Sequence, residues 1–280
     1  MIGSSVLPVL LGLASAACWG AADFSGGLAS KRASIYGVVI VSQVVGVALL
    51  IGLALAFSER VPPPDHLLWG AIAGLCGSAG LMALYRALAL GRMGIAAPVS
   101  AVVTAAVPVM VGALIEGWPG TLQVAGFGMA LFGVWFISRT EDAALAVRDL
   151  SLPLLAGLGF GFFLVFIDRA GDASVLWPLV AARFASLGVV LTMTAFSRRP
   201  WLPKRNLWPL IALAGVLDAG GNAFFALAAQ MGRLDMAAVL SSLYPASTVW
   251  LAWLILKERL TRTQSVGVVA ALAAIVLITV

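Results

Sequence analysis

The stretch from Leu217 to Leu260 reads LDAGGNAFFALAAQMGRLDMAAVLSSLYPASTVWLAWLILKERL, and the rest of the chain is organised around it. It contains two apolar segments separated by a short turn at 232–235. The first segment carries a carboxylate, Asp218, inside an apolar run, and the second carries Tyr244 followed by a proline. About 20 apolar residues suffice to cross a hydrocarbon core of roughly 30 Å. The stretch therefore predicts a pair of membrane-spanning helices.

The whole chain shares this apolar character. Of its 280 residues, 62% are hydrophobic and only 10% are charged, whereas about a quarter of a soluble domain is charged. Helices are expected because lipid offers no hydrogen-bond partner to an unpaired backbone group. The apolar runs are also far too long for the strands of a membrane barrel. The composition thus predicts an all-α membrane protein.

Ten apolar segments follow one another with short connections between them. The predicted segments are 7–29, 35–57, 67–90, 95–115, 121–139, 152–170, 175–197, 207–230, 236–256 and 263–280. The longest connection is charged, and its residues 141–150 are interpreted as a linker. It separates residues 1–140 from residues 151–280, with five segments in each part.

The two halves resemble each other at an offset of about 140 residues. Trp69 and Trp208 each begin a segment, and Gly126 has a counterpart in Gly267. Because five is an odd number, the second half must enter the membrane from the opposite side. The sequence therefore predicts ten transmembrane helices as two inverted five-helix repeats. In secondary transporters of this architecture the substrate site lies between the repeats, near the midplane.

The net charge of +5 comes from basic residues in the connections, which favours orientation signals over a nucleic-acid partner. One face would hold Lys31, Arg32, Arg92, Arg139, Arg148, Arg198, Arg199, Lys204, Arg205, Lys257, Arg259 and Arg262. The other face would hold only Arg60, Arg169 and Arg233. Since basic residues concentrate on the cytoplasmic side, we expect a multi-pass protein of the inner (plasma) membrane with both termini outside.

Polar side chains inside the apolar segments are the candidate site, because a charge at the bilayer centre costs about 2.5–3.5 kcal/mol on insertion scales. Asp23 follows Trp19 by four residues and Asn222 follows Asp218 by four, so each pair shares one helix face. The aromatic and carboxylate pair suits a cation or an amine, and Asp218 suits a proton carrier. Two structural alternatives remain: Asp23 pairs with Lys31, and Asp218 forms a salt bridge or an interhelical hydrogen bond.

Two arginines and two tyrosines complete the candidate set. Arg183 lies in the seventh segment, and Gln43 is its counterpart in the first half; Arg86 follows Tyr85 in the third segment. Each arginine either holds an anionic group, such as a substrate carboxylate, or is the fixed counter-charge of a membrane carboxylate. Tyr244 is a further candidate because the neighbouring proline and serines favour a polar, bent helix section; simple packing is its alternative.

Several short motifs that are typical of one protein family occur along the whole chain. They are Trp19-Gly20 with Asp23-Phe24, Arg183-Phe184, the run from Ser241 to Pro245, Glu258-Arg259-Leu260, Gln264 and Gly267. Together they resemble the drug/metabolite transporter superfamily, and the EamA-like ten-helix transporters in particular. The first half departs from the family, which often has an arginine at the position of Gln43, and Pro108 and Glu116 are closer together than Pro245 and Glu258.

This resemblance implies a secondary transporter, often an exporter, of small organic metabolites or drugs. It would work by alternating access around a central cavity, with protons as one possible coupling ion, and as a monomer or a homodimer. The sequence leaves open a channel or a membrane scaffold without carrier activity. An intramembrane enzyme fits least, because it needs a nucleophile with a base, or a metal with its ligands. No cofactor, metal site or catalytic residue is expected, and Cys18 and Cys76 are interpreted as core residues.

Overall fold

A computed structural model describes residues 3–89, 93–115, 117–137, 151–171, 173–197, 202–256 and 262–279. Within these ranges the chain is helical and contains no strand. The α-helices are α1 (Gly3–Ser30), α2 (Ile35–Ala56), α3 (Pro64–Ala89), α4 (Met93–Ile115), α5 (Thr121–Ile137), α6 (Ser151–Gly171), α7 (Leu176–Ser197), α8 (Trp208–Met231), α9 (Leu234–Ser241), α10 (Tyr244–Leu256) and α11 (Arg262–Thr279). A short 3-10 helix, Arg205–Leu207, leads into α8.

Six helical stretches are long and apolar enough to cross a membrane. They are Val6–Ser30, Ile35–Ala56, Pro64–Leu84, Ser151–Gly171, Leu176–Phe196 and Arg205–Met231. Two shorter apolar helices, Val99–Ile115 and Thr121–Gly133, accompany them. The all-helical class is therefore confirmed for the described residues, while the count of ten spans stays a prediction. The linker 141–150 lies outside the described residues, as do Arg92, Arg139, Arg148, Arg198, Arg199, Glu116 and Lys257 to Arg259.

The predicted ninth segment, 236–256, is not one helix. Helix α9 ends at Ser241, and α10 begins at Tyr244. Pro245 has no N–H, so it cannot continue the α-helical hydrogen bonds across this point. The chain passes the break through a tighter turn whose bonds span three residues instead of four. The sequence indicated a bend here, and the structure divides the segment completely.

The helices of the two halves pack in an exchanged pattern. Helix α3 packs against α6 and α7 of the second half, and α8 packs against α1 and α2 of the first. In the same way α4 packs against α6, while α9 and α10 pack against α1. Three further pairs, α2 with α7, α4 with α9 and α5 with α11, join matching helices of the two halves. Every principal contact of one half thus has a counterpart in the other.

Glycines allow the closest of these helix pairs to form. A Cβ atom placed on Gly74 of α3 would lie only 2.6 Å from the Cα of Ala182 in α7. A Cβ atom on Gly159 of α6 would lie 2.7 Å from the backbone nitrogen of Gly80 in α3. Membrane helices approach this closely where small residues meet. Gly157, Gly159 and Gly161 of α6 therefore serve helix packing.

The connections that follow α2 and α6 meet at one end of the molecule. The Glu59 carboxylate accepts hydrogen bonds from the N–H groups of Val175, at 2.6 Å, and Leu176, at 3.0 Å. The Trp177 indole donates to the carbonyl of Glu59, at 3.0 Å. A carboxylate is favourable here because a helix N-terminus is electropositive. We call this region, residues 57–63 and 173–177 with the adjoining turn at 232–233, the Glu59 end.

The α8–α9 turn belongs to the Glu59 end because Gln230 donates a hydrogen bond to the carbonyl of Gly171, where α6 ends. In this turn Arg233 forms a two-pronged pair with Asp235, with nitrogen to oxygen distances of 3.1 and 2.8 Å. It also donates to the carbonyl of Gly117, at 2.9 Å. Gly117 has a φ of +91°, a backbone conformation that favours glycine. Arg233 thus joins the turn after α8 to the connection after α4.

The predicted grouping of basic residues agrees with these ends. Arg60 adjoins Glu59, and the Arg169 guanidinium lies 5.1 Å from the Trp69 ring centre near the end of α6. Both therefore share the Glu59 end with Arg233. Lys31, Arg32, Lys204 and Arg205 precede α2 and α8, at the opposite ends of those helices. The side of the membrane that each end faces stays a prediction.

Candidate functional site

A cavity lies between the two halves of the chain. Its empty volume, counting the part open to the outside, is about 790 Å³. The first half contributes Trp19, Asp23, Gln43, Gly74, Gly77, Ser78, Leu81 and Thr104. The second half contributes Phe160, Phe163, Leu164, Leu179, Ala182, Arg183, Ser186, Asp218, Asn222 and Tyr244. The wall is mainly apolar with a few polar groups, which is the usual character of a small-molecule site.

An arginine joins three helices along one side of the cavity. The Nη1 atom of Arg183 donates to the Asp218 carboxylate and, at 2.6 Å, to Oε1 of Gln43. The Gln43 amide nitrogen in turn donates to the hydroxyl of Ser186, at 2.9 Å. Hydrogen bonds between charged groups are about twice as strong as those between neutral ones. The network therefore fixes α2, α7 and α8 to one another through side chains of both halves.

The two partners of this ion pair differ in exposure. The Arg183 side chain is 6% exposed, whereas the Asp218 side chain is 40% exposed and lines the cavity. The second terminal nitrogen of Arg183, Nη2, is buried and has no hydrogen-bond partner among the described residues. Of the two side chains, Asp218 is therefore the one more exposed to the cavity. The salt bridge that the sequence left as an alternative for Asp218 is present.

Trp19 forms a second link between the halves. Its indole nitrogen donates to the side-chain oxygen of Asn222, at 2.9 Å. Its ring stacks on Phe225, with ring centres 6.0 Å apart and planes inclined by 26°. The hydrogen bond to Asn222 at the ring edge and the contact of Phe225 with the ring face together fix the orientation of the indole. Trp19 therefore presents a fixed aromatic surface to the cavity.

Asp23 faces the cavity without a partner. It lies on α1 four residues after Trp19, and its carboxylate makes no hydrogen bond or ion pair with any described residue. It lies near enough to Asp218 for the two negative charges to repel each other. Lys31, the alternative partner considered from the sequence, is exposed and forms no ion pair with Asp23 within the described part of the chain. When ionised, Asp23 therefore has no compensating charge among the described residues.

Tyr244 enters the cavity at the break between α9 and α10. Its side chain is buried, and its hydroxyl lies 3.5 Å from the hydroxyl of Ser100 on α4. Thr104, one helical turn further along α4, also lines the cavity. The break thus places Tyr244 in the cavity wall together with Thr104 of the other half, and its hydroxyl lies beside the buried Ser100.

Four pairs of lining residues are each separated by 140 positions, the spacing of the hydrogen-bonded Gln43 and Arg183. The pairs are Asp23 with Phe163, Gln43 with Arg183, Ser78 with Asp218, and Thr104 with Tyr244. Residues separated by about the offset of the two halves therefore line the same cavity. The two side chains differ in every pair, so the two halves contribute different functional groups to the cavity wall.

Seven of the nine predicted site residues line this cavity: Trp19, Asp23, Gln43, Arg183, Asp218, Asn222 and Tyr244. Arg86 is not among them, because it is exposed in the last turn of α3, which ends at Ala89. Successive steps of four residues rotate around a helix by about 40° each. Arg86, two such steps after Ser78, is therefore rotated by about 80° from the helix face on which Ser78 lines the cavity. The side chain of Tyr85 lies outside the described residues.

The sequence did not identify Ser186, Thr104, Phe160 or Phe163. Ser186 carried a usable signal, because it follows Arg183 by three residues and so shares its helix face. The other three had none, since one aromatic or hydroxyl side chain in an apolar segment is usually a packing residue. The described residues contain no group that could hold a metal ion, and both cysteines are unpaired thiols.

Known proteins resemble this chain in sequence and in fold. The sequence model of the EamA-like transporter family matches it twice, at residues 6–139 and 149–280. Among solved structures, one crystal structure matches with a TM-score of 0.77 and 17% identity, over 96% of this chain and 95% of the other. At that identity the likeness concerns the fold alone. No curated protein matches the chain.

Proposed function

The chain belongs to the EamA-like transporter family, and from this premise we propose that it is a secondary transporter working by alternating access. The family and the apolar helices make it a multi-pass membrane protein of a group that transports small solutes. In our proposal the solute is a small organic metabolite or drug, and export is the expected direction. Residence in the inner (plasma) membrane with both termini outside, which puts the Glu59 end outside, remains a prediction.

The observation that carries this proposal is the cavity lined by matching positions of both halves. Residues 140 positions apart face the same space, and the helices pack in an exchanged pattern. This is what two repeats related by a two-fold axis would give. Inverted repeats can exchange conformations and so open one site to each side in turn. The residues of a single chain line the cavity, so a homodimer is not required.

The contacts at the Glu59 end support one particular state of this cycle. Glu59 joins the α2–α3 connection to the start of α7, and Arg233 joins the α8–α9 turn to Gly117. These ties hold connections of the two halves together, and they correspond to the state that is closed at this end. Opening toward this side requires these hydrogen bonds to break.

We further propose that transport is coupled to protons. A carboxylate held at membrane depth without a counter-charge is costly while ionised, so a proton is one way to neutralise it. Asp23 fits this role better than Asp218, because Asp218 already has Arg183 as its counter-charge. The sequence favoured Asp218 as the proton carrier, and the ion pair supports moving that role to Asp23.

Accessibility of one cysteine in the cavity tests alternating access. In a chain carrying Cys18→Ala and Cys76→Ala, Ser78→Cys places a thiol in the cavity wall. The protein is sealed into vesicles, and a membrane-impermeant thiol reagent is added from each side in turn. A transporter gives labelling from both sides, and added solute changes the ratio of the two rates. The matched control, Ser58→Cys on the exposed α2–α3 connection, is labelled from one side only.

The same vesicles separate the alternatives. A channel passes solute far faster than a carrier and shows no countertransport of a second solute. A scaffold shows no solute flux, and no solute changes the labelling ratio at position 78. Either result would contradict the transporter proposal.

A further inference from the structure

We propose that the cavity binds a monovalent organic cation, whose positive group pairs with Asp23 and whose apolar body lies against the aromatic wall. This inference rests on the proposed function, because it names the class of solute that the transporter carries.

Three of the described lining residues have side chains that can carry a charge near neutral pH: Asp23, Arg183 and Asp218. Arg183 and Asp218 neutralise each other through a direct ion pair. Asp23 has no partner among the described residues, so its ionised form leaves one negative charge in the cavity. An isolated charge buried in a membrane is costly until an opposite charge compensates it. A solute with one positive charge supplies that compensation, and a second positive charge would have no partner.

The position of Arg183 disfavours the opposite class, the organic anions. Its Nη1 atom is already occupied by Asp218 and Gln43, and its Nη2 atom is buried beneath the cavity surface. An anionic solute that bonds to Nη1 would have to displace Asp218 or Gln43. It would also meet the uncompensated charge of Asp23. The arginine that suggested an anion site in the sequence is therefore used within the protein.

The aromatic wall gives the cation a second kind of contact. Trp19 lies four residues before Asp23 on the same helix face, and its ring is held by Asn222 and Phe225. Phe160, Phe163 and Tyr244 also line the cavity. Aromatic faces attract organic cations, most strongly where water is excluded. The preferred solute thus combines one positive group with an apolar or aromatic body.

Two probes of the same shape and opposite charge test the inference. Benzyltrimethylammonium and phenylmethanesulfonate share a benzyl body and carry a single positive or negative charge. Binding of each to the purified full chain is measured by titration calorimetry, with empty detergent micelles as the blank. We expect the wild type to bind the cation at least tenfold more tightly than the anion. In Asp23→Asn the cation affinity should fall at least tenfold, while Asp23→Glu should retain most of it.

Asp65→Asn is the matched control, because Asp65 is an exposed carboxylate outside the cavity wall. We expect it to bind the cation within twofold of the wild type. The inference is overturned if neither probe binds, if the anion binds as tightly as the cation, or if Asp23→Asn keeps its cation affinity. Failure of the transporter proposal would look different: the cation would bind at Asp23 but would not cross the vesicle membrane.

Discussion

Gln43 and Arg183 occupy corresponding positions of the two halves, 140 residues apart, and are joined by a hydrogen bond of 2.6 Å. Two matching positions that meet in this way lie beside the axis that would relate the halves. An arginine at both positions would place two guanidinium groups against each other. With glutamine at position 43, the same contact becomes a donor and an acceptor. It also leaves the cavity with one positive side chain against two negative ones.

Gln43→Met tests this contact. The substitution keeps the volume of the side chain but removes the acceptor for Arg183 and the donor to Ser186. Because both partners are buried, we expect a loss of about 1–3 kcal/mol, the usual cost of leaving buried polar groups unpaired. Thermal unfolding in detergent measures the effect. Thr192→Val serves as the control, since Thr192 is exposed and bonds only within its own helix; equal midpoints for the two variants would contradict the prediction.

The two cavity carboxylates should differ in their importance for stability. Asp218→Asn leaves the charge of Arg183 buried without its counter-charge, so the variant should unfold at a lower temperature than the wild type. Breaking a buried ion pair costs about 3–5 kcal/mol, and the 40% exposure of the Asp218 side chain puts the expected loss near the lower limit. Asp23→Asn removes no ion pair and should unfold no earlier than the wild type. The reverse order would show that the charges are paired differently.

Two adjacent glycines on α8 offer a matched test of the Trp19 position. A Cβ atom on Gly221 would lie 2.7 Å from the indole nitrogen of Trp19, whereas a Cβ atom on Gly220 meets nothing within 4 Å. Gly221→Ala should therefore displace the indole from Asn222 and weaken solute binding at least tenfold. Gly220→Ala should leave binding unchanged and even stabilise the helix by up to about 1 kcal/mol. Binding titrations on both variants decide the point.

The pair between Arg233 and Asp235 predicts a rescue. The Asp235 side chain is fully buried, so Arg233→Met leaves a carboxylate without its counter-charge. We expect a loss of about 3–5 kcal/mol, as for other broken buried pairs. The double variant Arg233→Met with Asp235→Asn should recover most of the unfolding temperature, because the amide still accepts the hydrogen bond from the N–H of Met236. If the double variant is no better than the single one, burial of the charge is not the cause.

Glu59→Ala should loosen the closed end. It removes the acceptor for the N–H groups at the start of α7, a capping loss of about 1 kcal/mol. Since this contact favours the state closed at the Glu59 end, the variant should increase labelling of the cavity thiol at position 78 from that side. Asp65→Ala, an exposed carboxylate nearby in the sequence, should leave the labelling ratio unchanged.

Much of the architecture could be predicted because a long run of apolar residues is a strong sequence signal for a membrane helix. The segments from 35–57 and 207–230, for example, match α2 and α8 to within a few residues. The division of the ninth segment into two helices could not be predicted, because its apolar run continues across the break. The proline and serines there indicated only a bend. Sequence periodicity carries no signal strong enough to separate a bent helix from a divided one.

The site was predictable where charge made it conspicuous. Asp23, Arg183 and Asp218 stand out because ionisable residues are rare at membrane depth. The pairing among them could not be read from the sequence, because it depends on how α2, α7 and α8 are rotated about their axes. The same uncertainty explains Arg86, which is equally conspicuous in the sequence but lies near the end of α3, outside the cavity wall.

The break between α9 and α10 divides one apolar segment into two short helices with different sets of neighbours. Helix α9 has eight residues, or about 12 Å of length, less than half of a hydrocarbon core. It is fastened through Arg233 to the connection after α4. Both helices also lie against α1: Ser241 of α9 donates to the carbonyl of Gly12, and Ser247 and Thr248 of α10 donate to those of Ala16 and Gly20. The two parts of this segment therefore share α1 as a neighbour, while α9 also packs against α4 and is tied to the connection after it, and Tyr244 lies where the two parts meet.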